Sequence, residues 1–349
     1  MSRKMNNQEE FRRDAEVSAC RLIRHPEETQ EQKLHSGKNK LIVNISPHLH
    51  KDESVSKIMW MVVISLIPAG IAGVIIFGLE ALQVILLGVV SALVAECVIQ
   101  LLTKRRITVL DGSAFLTGLL LAYNLPPKVP FWLPIVGSFF AVAIGKQVFG
   151  GLGQNIFNPA LVGRVFLMAS WPKHMTAFTK PLTYDAVTSA TPLAVLKEGR
   201  VLEHVSNWNL FWGIRGGCIG EVCIFALILG ALLLFIRGYI SWHIPITYTV
   251  VVGLFTYIFG TKGLFSGDWL FHILSGGLIL GAFFMATDYV TSPLTRKGQI
   301  IFGIGCGLLT AVIRLWGGYP EGVSYAILIM NAFVPLIDRH IRPRIYGTG

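Results

Sequence analysis

The chemically capable side chains of this 349-residue chain gather where apolar sequence turns polar. The most distinctive group is Asp185-Ala186-Val187-Thr188-Ser189-Ala190-Thr191, followed by Pro192-Leu193, inside the long polar stretch 172–210. A threonine hydroxyl among small residues, with a carboxylate upstream at Asp185, is sterically open to an enzyme that would esterify it. The same residue types also close turns by bonding nearby backbone, so the spacing alone leaves both roles open.

A second group is Gly150-Gly151-Leu152-Gly153-Gln154-Asn155-Ile156-Phe157-Asn158-Pro159. Asn158-Pro159 reads as a capped helix start. Two carboxamides beside a glycine-rich turn could equally present donors and acceptors to the edge of a planar ring, with glycine allowing close approach. Ala286-Thr287-Asp288-Tyr289-Val290-Thr291-Ser292-Pro293 forms a counterpart, in which Asp288 is either a helix cap or part of a shared site. Glu96 and Glu221 stand inside apolar runs, where a carboxylate costs about 2.5–3.5 kcal/mol on insertion scales. They must pair, protonate or face water. Lys146, Arg164, Arg215 and Arg314 are candidate partners, and the two readings are interhelical ion pairing and a place on a cation path.

The elements that must position these groups are membrane helices. The chain is 53% hydrophobic and 14% charged, with mean hydropathy +0.59, too few charges for a water-facing surface of this size. The net charge of +10 reflects basic loops on one side of a bilayer; no nucleic-acid motif accompanies it. Cys20, Cys97, Cys218, Cys223 and Cys306 contain no Cys-x-x-Cys pair, against a disulfide framework or an iron–sulfur cluster held by this chain alone. Gly151-Leu152-Gly153 lacks the third glycine of a dinucleotide fingerprint, and His243 and His272 stand near the ends of different runs, against a bis-histidine haem. No metal site is expected.

Residues 1–57 read as a polar cytoplasmic arm without a signal peptide, free in solvent or against anionic lipid. Apolar runs follow at 58–77, 81–102, 112–123, 131–149 and 160–171, then at 211–236, 242–259, 270–287, 299–316 and 323–337. About 20 residues cross a bilayer, and several of these runs are shorter or broken. Lys104-Arg105-Arg106, Arg237, Arg296, Lys297, Arg339, Arg342 and Arg344 then all fall inside, as positive-inside topology requires. Both termini, including the tail 338–349, are expected in the cytoplasm, with loop 172–210 outside.

Residues 114–121 parallel 277–284, and 143–151 parallel 312–318. The expected fold is an all-α polytopic membrane protein of about ten transmembrane helices, arranged as two inverted five-helix repeats, 58–171 and 211–337. Such repeats commonly frame a polar site near the bilayer midplane.

The ordered set Ser46-Pro47-His48, Asp111-Gly112-Ser113-Ala114, Asn124-Leu125-Pro126-Pro127, the stretch from Gly150 to Ala160, Asp185 to Thr191, Phe284-Met285-Ala286-Thr287-Asp288 and Thr291-Ser292-Pro293 resembles the D subunit of Rnf-type ferredoxin:NAD oxidoreductases. The resemblance extends over about residues 41–340. The threonine motif looks like the signal read by flavin transferases. The resemblance implies FMN joined by its phosphate to Thr191, with Asp185, Thr188 and Ser189 completing the signal. It also suggests a second, noncovalent flavin, riboflavin, near Asn155, Asn158 and Asp288.

Its implied partners are a ferredoxin-like subunit, an NADH-binding subunit, a second FMN-bearing subunit, small membrane subunits, membrane lipid, and a flavin transferase for maturation. The implied activity is electron transfer coupled to Na⁺ or H⁺ translocation across a bacterial or archaeal cytoplasmic membrane, with Glu96 and Glu221 as candidates for the ion path. The related B subunit of sodium-pumping NADH:quinone reductases shares much of the pattern but has a longer N-terminal region. Inverted repeats with intramembrane carboxylates would also suit a secondary transporter or channel without flavin.

Overall fold

The computed structural model describes residues 54–179, 188–189, 191–197, 206–213, 215–260, 263–319 and 321–342. Asp185, almost all of the 1–57 arm and the last residues of the tail lie outside the described residues. Thr188 and Ser189 are described by their backbone only.

Regular structure in the described residues is helical apart from one small ribbon. The first half contains α1 (Val55–Phe77), α2 (Leu79–Leu102), α3 (Ser113–Tyr123), α4 (Trp132–Val142, continued by a π-helical turn at Ala143–Gln147), α5 (Pro159–Ser170) and the short α6 (Pro172–Met175). The polar stretch adds β1 (Phe178–Thr179), β2 (Thr188–Ser189), α7 (Pro192–Lys197) and α8 (Asn207–Trp212). The second half contains α9 (Ile224–Ile236), α10 (His243–Ile258), α11 (Trp269–Leu274), α12 (Leu278–Leu280, continued by a π-helical turn at Gly281–Met285), α13 (Arg296–Trp316) and α14 (Val323–His340).

Local sequence sets these boundaries. Ser54 caps α1 by accepting the Lys57 amide at 3.2 Å. The helix stops at Gly78, whose φ of 78° suits a residue without a β-carbon. Asn158 and Pro159 start α5 together: the Asn158 side chain accepts the Ala160 amide at 3.1 Å, and Pro159 fills the first turn.

Three helices, α1, α2 and α13, are long and apolar enough to cross a membrane. Their outer faces are apolar too: Ile64, Ile67, Ile71 and Ile75 on α1, and Leu86, Val90, Val94 and Val98 on α2, are all exposed. Helical spacing turns these residues into continuous stripes, and a surface this apolar has lipid as its solvent.

Helix α2 packs on α3 and α4, and α4 on α5; α10 packs on α11 and α13, and α13 on α14; α1 and α9 face each other. Small residues permit the tightest approaches. A β-carbon on Gly230 of α9 would stand 2.0 Å from the Ser65 carbonyl of α1.

The apolar run 211–236 is not one helix. Helix α8 ends at Gly213, the backbone around 215–223 is non-helical, and α9 begins only at Ile224. Backbone without helix at membrane depth requires protein partners. Here the Ile219 amide donates to the Leu125 carbonyl at 3.1 Å and the Gly220 amide to the Tyr123 carbonyl at 2.9 Å. Apolar periodicity could not reveal the break, because Cys218, Ile219 and Val222 are buried like helical core residues. The run 270–287 is interrupted similarly, between α11 and α12, where Gly276 has φ 67°.

Candidate functional site

Two buried polar centres lie at opposite ends of α3. Ser113 begins that helix in one and Asn124 follows its last residue in the other, about 16 Å apart at 1.5 Å per residue.

In the first centre, Glu96 of α2 is fully buried. Its Oε1 accepts from Lys146 Nζ at 2.5 Å, Gln147 Nε2 at 3.0 Å and Gln100 Nε2 at 3.1 Å. Lys146 Nζ also donates to Ser113 Oγ at 2.6 Å, and Ser113 Oγ to Asp111 Oδ1 at 2.5 Å. Of the partners available to Glu96, the structure selects Lys146, and the π-helical turn carries both Lys146 and Gln147 to it.

Beside this pair, Asn158 joins the two polar breaks: its Oδ1 caps α5 while its Nδ2 donates to the Met285 carbonyl at 3.2 Å. Asn155 donates to the Phe157 carbonyl at 3.1 Å, and its Oδ1 has no hydrogen-bond partner. Asp288 accepts from Thr291 Oγ1 at 3.2 Å. Burial raises its carboxyl pKa, against the opposing pull of that bond and of the Val290 and Tyr289 amides. Lys146, Asn155, Asn158 and Asp288 line one cleft with Met59 and Phe284. The cleft encloses about 50 Å³, whereas ligand pockets run to roughly 300–1,000 Å³. It does not fit a three-ring ligand unless its walls part.

The second centre holds Arg164 of α5, Arg314 of α13, and Arg215 and Glu221 from the non-helical segment before α9. Glu321, just before α14, completes it. Arg164 donates to Asn124 Oδ1 at 2.5 Å and pairs with Glu321. Arg314 donates to the His272 carbonyl at 2.5 Å and the Ser275 carbonyl at 3.1 Å; Arg215 donates to the Glu221 carbonyl at 2.9 Å. Glu221 Oε1 accepts the Cys218 amide at 3.0 Å.

Desolvation and the neighbouring Glu221 push the Glu321 pKa up to about 7, against the guanidiniums of Arg164 and Arg314. Cys218, Glu221 and Glu321 bring potential metal ligands within 4.8 Å of one another. Arg164 Nη2 stands 3.8 Å from Cys218 Sγ while pairing with Glu321, so a guanidinium occupies this group and its charge repels a cation.

The centres differ in what they leave unpaired among the described residues. The first leaves acceptors, Glu96 Oε2 and Asn155 Oδ1. The second leaves mostly donors: Arg164 Nε, Arg215 Nε and Nη1, and Arg314 Nε, beside one acceptor, Glu221 Oε2.

Thr191 belongs to the second end. It is 3% exposed, and its hydroxyl caps α7 by accepting the Ala194 amide at 3.3 Å. Lys197, at the other end of α7, donates to the carbonyls of Gly317 and Tyr319, immediately after the helix that carries Arg314. The hydroxyl that the sequence presents as open is therefore buried, because it caps α7, and esterification requires its surroundings to move aside. The unpaired guanidinium donors of the second centre fit an anionic group such as a phosphate.

Sequence reasoning treated Glu96 and Glu221 alike, as carboxylates that must pair, protonate or face water, and the structure puts them in different centres. Asn155, Asn158 and Asp288 line one cleft. Sequence reasoning missed Glu321, whose only signal was an acid in the short Gly-Gly-Tyr-Pro-Glu-Gly break between two apolar runs. The role of Asn124 was also missed, because an asparagine before Leu-Pro-Pro reads as a helix stop.

The chain matches the NQR2, RnfD, RnfE family over residues 42–347. It is 51% identical over 322 residues to the D subunit of the proton-translocating ferredoxin:NAD(+) oxidoreductase complex of Clostridium ljungdahlii, covering 89% of this chain and 97% of that one. It is 52% identical over 311 residues to the Na(+)-translocating counterpart of Acetobacterium woodii, covering 88% and 96%. Identity to the D subunit of the ion-translocating oxidoreductase complex of Stutzerimonas stutzeri is 41% over 329 residues, covering 85% and 93%. Matched along most of its length, this chain belongs to the NQR2, RnfD, RnfE family.

Proposed function

We propose that this chain is the electron-carrying membrane subunit of an Rnf-type ion pump, with FMN joined through its phosphate to Thr191. Bound FMN supplies electron relay, which is the cofactor's own chemistry; the chain supplies placement and charge. The names of its relatives give the reaction, ferredoxin:NAD oxidoreduction, and a coupled ion, a proton in one case and Na⁺ in another. The proposed assembly contains ferredoxin-like and NADH-binding subunits, a second FMN-bearing subunit and small membrane subunits. A flavin transferase loads Thr191.

The observation that carries this reading is the setting of Thr191. Its hydroxyl heads a helix anchored beside a buried, donor-rich cluster, at the end of α3 remote from Asn155 and Asn158. In the proposed orientation that end faces away from the cytoplasm and both termini face it. The order of helix contacts supports two inverted five-segment repeats: α2 with α3 and α4, then α4 with α5, is matched by α10 with α11 and α13, then α13 with α14. Riboflavin is not placed in the cleft of Asn155, Asn158 and Asp288, which is too small to hold it.

The test uses membranes from a host that possesses the transferase. The peptide containing Thr191 is expected to carry an FMN adduct, and the denatured subunit to fluoresce under ultraviolet light in a gel. Thr191→Val abolishes both. An unmodified Thr191 in an assembly that still transfers electrons would overturn the proposal.

A further inference from the structure

Among the described residues, the second centre has a charge imbalance that no neighbouring carboxylate resolves. Arg164, Arg215 and Arg314 contribute three positive charges against two carboxylates, Glu221 and Glu321, all five being buried. They lie within electrostatic reach of one another. Of the three guanidiniums, one has a carboxylate contact; Arg215 and Arg314 bond only to backbone carbonyls. A buried charge without a counter-charge is costly. Four of the cluster's guanidinium nitrogen atoms also have no acceptor. Protonating either glutamate enlarges the imbalance, so proton uptake cannot remove it.

Helix α7 sits against this cluster. A β-carbon on Gly276 would stand 2.9 Å from Leu193 Cδ1 and 3.1 Å from Arg314 Nη2. Leu193 and Arg314 thus flank the same glycine, and Leu193 is two positions beyond Thr191. A phosphodiester carries one negative charge at neutral pH, and guanidinium is the side chain best matched to phosphate oxygens.

We propose that the buried arginine cluster, which α7 approaches at Arg314, is the counter-charge receptor for the phosphodiester on Thr191. The inference rests on the flavinylation reading and adds to it the residues that hold the anion. The cluster and the phosphodiester are each incomplete alone: with both glutamates ionised, three positive charges meet two carboxylates and one phosphate charge. Its consequence is a reversal of sign. Without the adduct the cluster carries an excess positive charge, and removing Arg215 relieves it and stabilises the protein. With the adduct, its removal strands the phosphate.

The experiment compares Arg215→Gln and Arg215→Lys in two backgrounds, native Thr191 and Thr191→Val, in the complex purified from a transferase-bearing host. Arg215→Gln is expected to lower the thermal midpoint of the flavinylated subunit and raise that of the Thr191→Val subunit, each by on the order of 2 °C. Arg215→Lys retains most of the native behaviour in both. The midpoint potential of the covalent flavin should become more negative in Arg215→Gln, because a positive charge is lost nearby.

Shifts of the same sign in both backgrounds, with an unchanged potential, would overturn the receptor while leaving flavinylation intact. So would failure of Arg215→Gln to accumulate in either background, since that need for charge would not depend on the phosphate. Absence of the adduct from native Thr191 would instead overturn the flavinylation reading, and the receptor with it.

Discussion

The two polar centres are both buried and charged, yet they are built on different principles. Around Glu96, one buried carboxylate meets one buried ammonium; Gln100 and Gln147 add hydrogen bonds to Glu96 Oε1 and Ser113 accepts from Lys146, while Glu96 Oε2 has no partner among the described residues. Around Glu221, three guanidiniums meet two carboxylates, and several donors have no acceptor among the described residues. The first arrangement pairs its buried charges one to one and ties α2, α3 and α4 together. The second remains electrostatically open, beside the helix that Thr191 begins. Charge balance therefore separates the structural centre from the receptive one, although either glutamate alone reads the same in the sequence.

The sharpest way to break this contrast is at the closed pair. Lys146→Met strands a fully buried carboxylate, and loss of one partner in such a pair costs about 3–5 kcal/mol. The protein is expected to accumulate poorly and melt early, and Glu96→Leu combined with Lys146→Met should recover much of the loss. Normal melting of Lys146→Met alone would show that the pair holds nothing together.

At the open centre the corresponding change is milder. Arg164→Gln removes the contact with Glu321, but Arg314 remains within electrostatic reach of that carboxylate. The expected cost is about 1–3 kcal/mol, read as a thermal midpoint between those of the native and Lys146→Met proteins. A loss equal to that of Lys146→Met would erase the distinction.

Asn158→Ala comes next, at about 1 kcal/mol for a lost helix cap, with some addition for the bond to Met285. Asn155→Ala should cost less, since its Oδ1 is unpaired.

The smallest effect is a slope. Glu321 faces Arg164, Arg314 and Glu221, and its folded pKa of about 7 lies above the ordinary carboxylate value. The folded protein then binds more protons than the unfolded chain, so this group stabilises at low pH and the stability is lost as pH rises through about 7. Between roughly pH 5 and 7, the native thermal midpoint should fall relative to that of Glu321→Gln, and parallel curves would refute the shift.

Much of this architecture was legible because lipid imposes simple rules. Helices α1, α2 and α13 follow from continuous apolar length, and Asn158-Pro159 announced α5 as a capped start. The break before α9 was hidden, because its satisfaction comes from the Tyr123 and Leu125 carbonyls, far away in sequence. Pairing was hidden for the same reason. Glu96 had four cationic candidates in the sequence, and only the π-helical turn at Ala143–Gln147 selects Lys146. The charge count of the second centre needed Glu321, which no periodicity marks.

One measurement reaches the contrast between the two ends directly. In intact spheroplasts and in inverted vesicles, a membrane-impermeant quencher is applied to the Thr191-linked flavin, with its fluorescence isolated by comparison with Thr191→Val. Quenching in spheroplasts and protection in inverted vesicles is expected, since the proposed orientation turns the arginine-rich end and the proposed flavin away from the cytoplasm. Quenching only in inverted vesicles would put the receptive centre on the cytoplasmic face and contradict the proposed path of electrons through this protein.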